Sequence, residues 1–326
     1  METAPIICTM GRDCNKVEQA FPSFLLGTVT IGLLALVGGW LMYASQTQSV
    51  QTDSQSALAA VSVPEFPQFG SIDLTAKASF VGEVNGPLVY AANPDAQLPL
   101  ASISKIALVL AVVDVLDADS KVTLQQFVSG NGKGENLPLG TTWRTQDLID
   151  YTLVASSNDG ADVLAALADS KLRALYPEAP RGRAALWRMN ALAQELGLEH
   201  TYFSNVSGLD ESSTQSGSYG SAKDVAKLMA YAAIQYPNVF NATNLKTISI
   251  TSREGIVAVA ENTDEAIDYI PGMLIGKTGL TDLAGGNLAV VFDARGRKYV
   301  AVVLGSTQSG RFSDMTKIAS ILSKKQ

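Results

Sequence analysis

Histidine and cysteine are almost absent from this chain, and their scarcity excludes several kinds of catalysis. His200 is the only histidine, and it lies in a polar stretch typical of a surface, so an imidazole-based serine triad has a single candidate base. Cys8 and Cys14 are the only cysteines, and both precede a long apolar run. Because zinc sites usually draw on several His or Cys ligands, no metal and no cofactor are expected. A disulfide framework is excluded after that run, where no cysteine occurs.

Basic residues are fewer than acidic residues in this chain. The 326 residues include 24 Lys and Arg against 31 Asp and Glu, a formal net charge of -7. Such a chain has no surplus of cations with which to neutralise a phosphate backbone, so nucleic acid is not an expected partner. Hydrophobic residues make up 47% and charged residues 17% of the sequence, which is typical of a folded domain with a sizeable core.

Residues 24–44 contain no charge and are mostly apolar, which predicts a transmembrane helix. Arg12 and Lys16 precede this segment, and no Lys or Arg follows it until Lys77. The positive-inside rule therefore places residues 1–23 in the cytoplasm and the bulk of the chain on the other side of the membrane. A cleaved signal peptide is the alternative, although the apolar run is longer than such peptides usually have.

The segment that follows, residues 45–71, is rich in Ser, Gln and Thr and contains Pro64 and Pro67. It shows no apolar period, so we interpret it as a linker that holds a globular domain, residues 72–326, away from the bilayer. In that domain, strand-like runs lie at both ends and helical patterns in the middle. This order predicts an α/β (α+β) fold with a mainly antiparallel sheet whose first and last strands meet.

The individual elements follow from periodicity and turn residues. A hairpin is predicted at 72–83 and 86–91, helices at 102–116, 145–155, 159–167, 183–196 and 221–236, strands at 247–252, 255–261, 272–279, 287–294 and 298–305, and a last helix at 312–322.

Ser102 and Lys105 form the first of three short motifs that allow chemistry. They head an apolar run in the sequence SISKIALVL, and a spacing of three places both side chains on one face of a helix. A neutral lysine can replace histidine as the base that activates a serine nucleophile. Burial and a second cation nearby would favour the neutral amine. Alone, such a motif is common by chance.

Ser156 and Asn158 form the second motif, in a short connection between two helical patterns. The serine could pass a proton while the asparagine bonds the lysine or a substrate carbonyl. Both residue types also cap helices, so a purely structural role stays open. Ser129 and Asn131 repeat the motif in a Gly-rich stretch, and we favour the pair flanked by helices.

The third motif is Lys277-Thr278-Gly279, at the end of a strand-like run. A lysine and a hydroxyl on a strand edge make a compact receptor for a carboxylate. Gly279 would let a substrate approach the backbone. The order of the three motifs and their strand, helix and strand settings match the needs of a penicillin-recognising serine enzyme.

The chain resembles the penicillin-binding serine D-alanyl-D-alanine carboxypeptidases of bacterial cell walls. The similarity covers about residues 72–322 and includes PLASISKIALVL, LVASSNDGADVLA, MNALAQELGLEHTYFSNVSGLD, SAKDVAKL and GKTGLTDLAGGNLAV. It implies the β-lactamase and D,D-peptidase architecture, a five-stranded antiparallel sheet flanked by helices plus an all-helical subdomain. The implied substrate is a peptidoglycan stem peptide ending in D-Ala-D-Ala, and β-lactam antibiotics are the implied inhibitors.

The resemblance also implies a role for each motif residue. Ser102 would be the acylated nucleophile, Lys105 its base, and Ser156 the proton shuttle. Asn158 would bind Lys105 and the substrate amide. The terminal carboxylate would be held by Lys277, Thr278 and, from a thinner local match, Arg311, and backbone N–H groups of Ser102 and Leu280 would form the oxyanion hole.

The sequence departs from the family pattern at two points, and three other functions were weighed against the carboxypeptidase. Family members often have a β-rich C-terminal domain, whereas this sequence ends at Gln326. The residue after KTG is often His in the family, and it is Leu280 here.

A β-lactamase would need a carboxylate in an E-x-x-x-N stretch between the second and third motifs, and the sequence has none there. A D,D-endopeptidase and a non-catalytic, membrane-anchored penicillin sensor remain as alternative functions.

Overall fold

The computed structural model describes residues 66–124 and 137–324. Its strands are β1 (Ala78–Glu83), β2 (Leu88–Ala92), β3 (Leu98–Pro99), β4 (Lys121–Thr123), β5 (Thr142–Arg144), β6 (Tyr202–Phe203), β7 (Ser218–Gly220), β8 (Thr247–Thr251), β9 (Val257–Glu261), β10 (Met273–Thr281), β11 (Gly285–Ala294) and β12 (Arg297–Ser306). Its α-helices are α1 (Ser104–Val113), α2 (Thr145–Val154), α3 (Asn158–Leu175), α4 (Ala184–Glu195), α5 (Ala222–Gln235) and α6 (Gly310–Ser323).

The main sheet has five strands in the order β10-β11-β12-β1-β2. All four strand pairs are antiparallel, and β1 pairs with β12 so that Val81 faces Ala301. The first and last strands of the domain therefore lie side by side, which confirms the antiparallel sheet predicted from the sequence. Strand β10, which contains the KTG motif, lies at an edge of this sheet.

Hydrophobic residues cover both faces of the sheet, because alternate positions of a strand point to opposite sides. On β11, Ala289 and Val291 face the larger core with α5, while Leu288 and Val290 face a second core with α6. The helices on the two faces thus bury the central strands completely, as an unbroken apolar run predicts.

Helix α1 is the centre of the helical part. Its residues from Ser104 to Val112 are all buried, and it contacts α2, α3, α4 and α5. A helix that is apolar on every side is stable only when other elements surround it. The short 3-10 turn Ala101–Ile103 leads into α1 and also contacts β10, so it lies where the helices meet the sheet.

Three sequence expectations differ from the structure. The helix after the second motif extends from Asn158 to Leu175, well past residue 167, because its C-terminal half buries Ala168 and Leu172. The first strand begins at Ala78 rather than at residue 72. The end of the predicted linker is also part of the fold, since Pro67–Ser71 form a 3-10 turn and its Phe69 is buried and stacked on Tyr90.

Two other expectations fall outside the described residues. The predicted transmembrane helix, residues 24–44, is one, and the rival motif of Ser129 and Asn131 is the other. Within residues 66–124 and 137–324, no helix has both the length and the apolar character that crossing a membrane requires.

Candidate active site

Ser102 lies in the 3-10 turn that leads into α1. Two contacts with β7 hold this turn: Leu100 N donates to the Ser218 carbonyl at 3.0 Å, and the Ser218 hydroxyl donates to the Ala101 carbonyl at 3.3 Å. Ala101 has a positive φ of 51°, a conformation that costs a residue with a Cβ on the order of 1 kcal/mol. Strain of this kind persists only where the surroundings impose it, so the packing fixes the direction of the Ser102 side chain.

The Lys105 amine is completely buried beside Ser102. Its Nζ lies 2.8 Å from Ser102 Oγ, 2.8 Å from Asn158 Oδ1 and 2.9 Å from the backbone carbonyl of Ser207. The structure thus brings together the serine and lysine of the first motif and the asparagine of the second. Of the three oxygens around the amine, only the Ser102 hydroxyl can also donate a proton.

Ser157, the middle residue of the second motif, is the one that caps a helix. Its Oγ accepts a hydrogen bond of 2.9 Å from Gly160 N at the start of α3. The capping role that the sequence left open for Ser156 and Asn158 is therefore filled by the residue between them. Ser156 itself has a positive φ of 55°, and its hydroxyl accepts a hydrogen bond of 2.8 Å from Lys277 Nζ.

Lys277 lies on β10 and is also buried. Burial, followed by the positive charges of Lys105 and Arg311, lowers the pKa of Lys277 well below its usual value. Its amine also donates to the Thr278 carbonyl at 2.9 Å, and the Thr278 hydroxyl is hydrogen-bonded to the Thr263 hydroxyl. The second and third motifs thus meet through the contact between Lys277 and Ser156.

Gly279 has a structural role that the sequence did not indicate, in addition to the substrate approach predicted for it. A Cβ at this position would lie 2.6 Å from the Leu100 carbonyl, so the glycine lets β10 approach the Ser102 turn. The Gly279 carbonyl accepts a hydrogen bond of 2.8 Å from Arg311 Nη1, and Arg311 is buried against this strand. Leu280, the next residue, has an exposed side chain beside the cleft.

Residues 205–210, which we call the bracing loop, had no role assigned from the sequence. Ser207 supplies the carbonyl that binds Lys105, and Gly208 has a φ of 77° with its α-carbon against the Ala101 carbonyl. Asp210 accepts hydrogen bonds from Thr281 Oγ1 at 3.0 Å and Leu283 N at 3.1 Å. The loop therefore contacts both the lysine and the end of the KTG strand. Its sequence, NVSGLD, was part of the family signature, which was the available signal.

Asp264 was also missed, and no sequence motif marks it. Its side chain is buried, with Oδ1 accepting from Ala266 N at 2.8 Å and Oδ2 without a hydrogen-bond partner among the described residues. Burial raises the pKa of Asp264 to about 6, against the opposing effects of Arg311 and Lys277. A carboxyl group is thus buried near Lys277 of the KTG strand and Arg311 of α6.

The family comparison agrees with this geometry. Residues 65–308 match the family model described as Peptidase S11, D-alanyl-D-alanine carboxypeptidase. The chain therefore belongs to the D-alanyl-D-alanine carboxypeptidase family of serine peptidases.

Two relatives show the spread of functions that the family contains. The chain is 27% identical over 240 residues to D-alanyl-D-alanine carboxypeptidase DacF of Bacillus subtilis, and this match covers 72% of the chain but 58% of that relative's length. It is 26% identical over 270 residues to the D-alanyl-D-alanine endopeptidase of Escherichia coli, with 81% of the chain and 77% of that relative covered.

A solved structure with a similar fold is penicillin-binding protein D2 of Listeria monocytogenes in its ampicillin-bound form. The sequence identity is 28% and the TM-score 0.65, with 78% of this chain and 99% of that chain covered. The D,D-peptidase architecture, an antiparallel sheet combined with helices, is thereby shown for the described domain.

Gly208→Ala tests how far the catalytic turn depends on the bracing loop. A Cβ at residue 208 would lie 2.0 Å from the Ala101 carbonyl, so the turn or the loop must move. We expect acylation by a fluorescent penicillin to slow by about 100-fold, since small displacements of a reacting group have large effects on rate. The control is Gly197→Ala, which has the same positive φ strain but no atom within 4 Å of the added Cβ. Equal acylation rates in both variants would contradict the role of the loop.

Asp264 predicts a pH dependence of stability. Because its pKa is raised to about 6, the folded protein binds more protons than the unfolded chain between about pH 4 and pH 6, and the free energy of unfolding falls as the pH rises through this window. We expect Asp264→Asn to remove about 2 kcal/mol of this fall, measured by urea unfolding at pH 4.5 and 7.5. Asp73→Asn, at an exposed carboxylate, is the control. An unchanged pH dependence in Asp264→Asn would refute the prediction.

Proposed function

We propose that this protein is a serine-type D-Ala-D-Ala carboxypeptidase that removes the terminal D-alanine from peptidoglycan stem peptides through an acyl-enzyme on Ser102. β-Lactams would acylate the same serine and inhibit the enzyme. The observation that carries this proposal is the buried Lys105 amine, 2.8 Å from the Ser102 hydroxyl in a site without an imidazole. The family and the relatives named as carboxypeptidases support the substrate class.

The contacts of Lys105 suit a neutral amine acting as general base. A neutral amine has two N–H groups and one lone pair, and two of its three neighbours, Asn158 Oδ1 and the Ser207 carbonyl, can only accept. These two oxygens would bind the N–H groups and turn the lone pair towards Ser102. The amine then takes the hydroxyl proton as Ser102 Oγ bonds to the carbonyl carbon of the penultimate D-alanine.

The opposite side of the cleft would complete the reaction. Ser156, hydrogen-bonded to Lys277, would give its hydroxyl proton to the nitrogen of the leaving D-alanine as the amide bond breaks, and would regain a proton from protonated Lys105, which restores the neutral amine. Lys277 and Thr278 would hold the substrate carboxylate, with Arg311 adding positive charge from beneath the strand. Backbone N–H groups of Ser102 and Leu280 would stabilise the oxyanion. Water, activated by Lys105, would then hydrolyse the ester.

Cleavage of peptide cross-links is the second candidate function. It uses the same bond chemistry, and the match to the Escherichia coli endopeptidase covers 81% of this chain. The two activities differ in whether the leaving group is free D-alanine or the amine of a second stem peptide.

We also propose that residues 24–44 anchor the domain in the bacterial inner membrane, with the catalytic site on the extracytoplasmic side. The support is the uncharged apolar run and the basic residues Arg12 and Lys16 on its N-terminal side. Protease added to intact spheroplasts should digest the domain and release it from the membrane fraction. Protection of the domain until the cells are lysed would contradict this orientation.

Ser102→Ala is the direct test of the proposed function. The full-length protein in detergent should bind a fluorescent penicillin covalently and release D-alanine from a peptide ending in D-Ala-D-Ala. The variant should lose both activities, because no hydroxyl remains to form the ester. Labelling that survives in Ser102→Ala would refute the nucleophile, and labelling of the wild type without any release of D-alanine would favour the sensor. A cross-linked muropeptide dimer in the same assay separates endopeptidase from carboxypeptidase activity.

A further inference from the structure

Asp264 lies between β9 and β10 and has no role in the reaction proposed above. Its side chain is buried, its Oδ1 accepts a hydrogen bond of 2.8 Å from Ala266 N, and its Oδ2 has no partner among the described residues. No cation of residues 66–124 and 137–324 therefore compensates this carboxylate by direct contact. Burial of an uncompensated charge costs stability, which favours a role in function over a role in folding.

The segment that contains Asp264, residues 262–266, is fixed between the helices and the sheet. Thr263 N donates a hydrogen bond of 3.3 Å to the carbonyl of Val154, the last residue of α2. The Thr263 hydroxyl is hydrogen-bonded to the Thr278 hydroxyl on the KTG strand. The Asp264 carboxylate is therefore held in one place beside that strand.

The carboxylate lies against the backbone of β10 at Gly276. A Cβ at Gly276 would lie 3.3 Å from Asp264 Oδ2, so the glycine leaves space for the carboxylate next to the strand. Gly276 pairs with Val290 of β11, which faces the core of α6. Because paired residues of antiparallel strands point to the same side, Asp264 lies on the α6 face of the sheet.

Lys277 approaches the same part of β10 from the opposite face. It pairs with Ala289, which faces the larger core, and its Nζ returns to the strand, 2.9 Å from the Thr278 carbonyl. The amine at Thr278 and the carboxylate at Gly276 are separated by the backbone of one strand. Two residues of a strand span about 7 Å, so the two charged groups lie on the order of 10 Å apart.

The charges around Lys277 act in opposite directions. Burial and the positive charges of Lys105 and Arg311 lower the pKa of Lys277, and the negative charge of Asp264 opposes them. A unit charge at about 10 Å changes a pKa by about 1 unit in an effective dielectric constant of about 20. An ammonium attracts a carboxylate more strongly than a neutral amine does, so this opposing charge matters for substrate binding.

The other carboxylates on the surrounding elements differ from Asp264 in exposure or in partners. Glu265 is exposed, so water and salt screen its charge. Asp268 is exposed and forms an ion pair with a lysine. Asp314 of α6 accepts hydrogen bonds from two backbone N–H groups and one hydroxyl. Asp162 of α3 is half-buried and interacts with the amine of the first motif.

We propose that Asp264 is a positioning residue that keeps Lys277 in its ammonium form and so extends the binding of the substrate carboxylate to higher pH. The proposal rests on the proposed peptidase function, in which Lys277 holds that carboxylate. Asp264 acts on the substrate only through Lys277. Without its charge, the ammonium would lose its proton, and its attraction for the substrate, at a lower pH.

The experiment measures kcat/KM against pH for release of D-alanine from a peptide ending in D-Ala-D-Ala, with the full-length wild type and Asp264→Asn. Asparagine has the same shape and keeps the oxygen that accepts from Ala266 N. We expect the alkaline limb of the profile to move to lower pH by about 1 unit in the variant. The change should lie in KM, with kcat at saturating peptide unchanged. At about pH 5 the two proteins should be equal, because the pKa of Asp264 is about 6 and its carboxyl is then mostly neutral.

Two variants and one peptide are matched controls. Glu265→Gln removes an exposed carboxylate from the same segment and should keep the wild-type profile. Asp264→Glu keeps the charge but changes the shape, so its alkaline limb should stay at the wild-type position even where the overall rate falls. A peptide ending in D-Ala-D-alaninamide has no carboxylate, so its kcat/KM should not show the shift.

Acylation by a fluorescent penicillin, which also has a carboxylate, gives the same pH profile without depending on D-alanine release. Absence of release by the wild type would refute the peptidase function, while the acylation profile would still confirm or refute the role of Asp264.

An unchanged alkaline limb in Asp264→Asn would overturn the proposal, as would an equal loss of kcat/KM at every pH, which indicates a structural role. Loss of penicillin labelling in Asp264→Asn at about pH 5 would overturn it too, because the wild-type carboxyl is itself mostly neutral there. A limb in Asp264→Glu that matches Asp264→Asn, or the same shift with the amide peptide, would also contradict it.

Discussion

The site depends on the burial of one lysine amine, because the Ser102 turn, α3 and the bracing loop each supply one of its hydrogen-bond partners. Helix α1 supplies Lys105, the 3-10 turn supplies Ser102, α3 supplies Asn158, and the bracing loop supplies the Ser207 carbonyl. A buried amine without such partners would destabilise the fold by several kcal/mol. In the proposed mechanism the same contacts that satisfy the amine also direct its lone pair towards the serine, so folding and catalysis would impose the same geometry.

Close backbone contact is the second constraint, and two glycines make it possible. Gly279 lets the KTG strand lie against the Ser102 turn, and Gly208 lets the bracing loop lie against the same turn from another side. Asp210 then joins the loop to the end of the strand. These contacts bring the two amines, Lys105 and Lys277, close enough for the charge of one to lower the pKa of the other. The pairing of the two amines is thus a consequence of packing, not of a local sequence motif.

Much of the fold could be predicted from the sequence, because long apolar runs with a clear period determine β11, β12 and α1. The contacts of Lys105 with Ser102 and Asn158 could also be predicted, since both motifs have a characteristic spacing and setting. No role could be assigned to the bracing loop or to Asp264 from the sequence. The Ser207 carbonyl and the Asp264 carboxyl belong to no periodic pattern, and the residues that they contact are distant in sequence. The packing role of Gly279 could not be predicted for the same reason, since its neighbour, Leu100, is distant in sequence.

The central claim is that Lys105 is the base that activates Ser102. Lys105→Met tests it most directly, because methionine fills a similar apolar volume but has no amine. The account predicts that the rate of acylation by a fluorescent penicillin falls by about 10²–10⁴-fold, the usual contribution of a general base, while the circular dichroism spectrum is unchanged. Lys171→Met, at an exposed position on α3, should acylate at the wild-type rate. A near-normal acylation rate in a folded Lys105→Met variant would contradict the account.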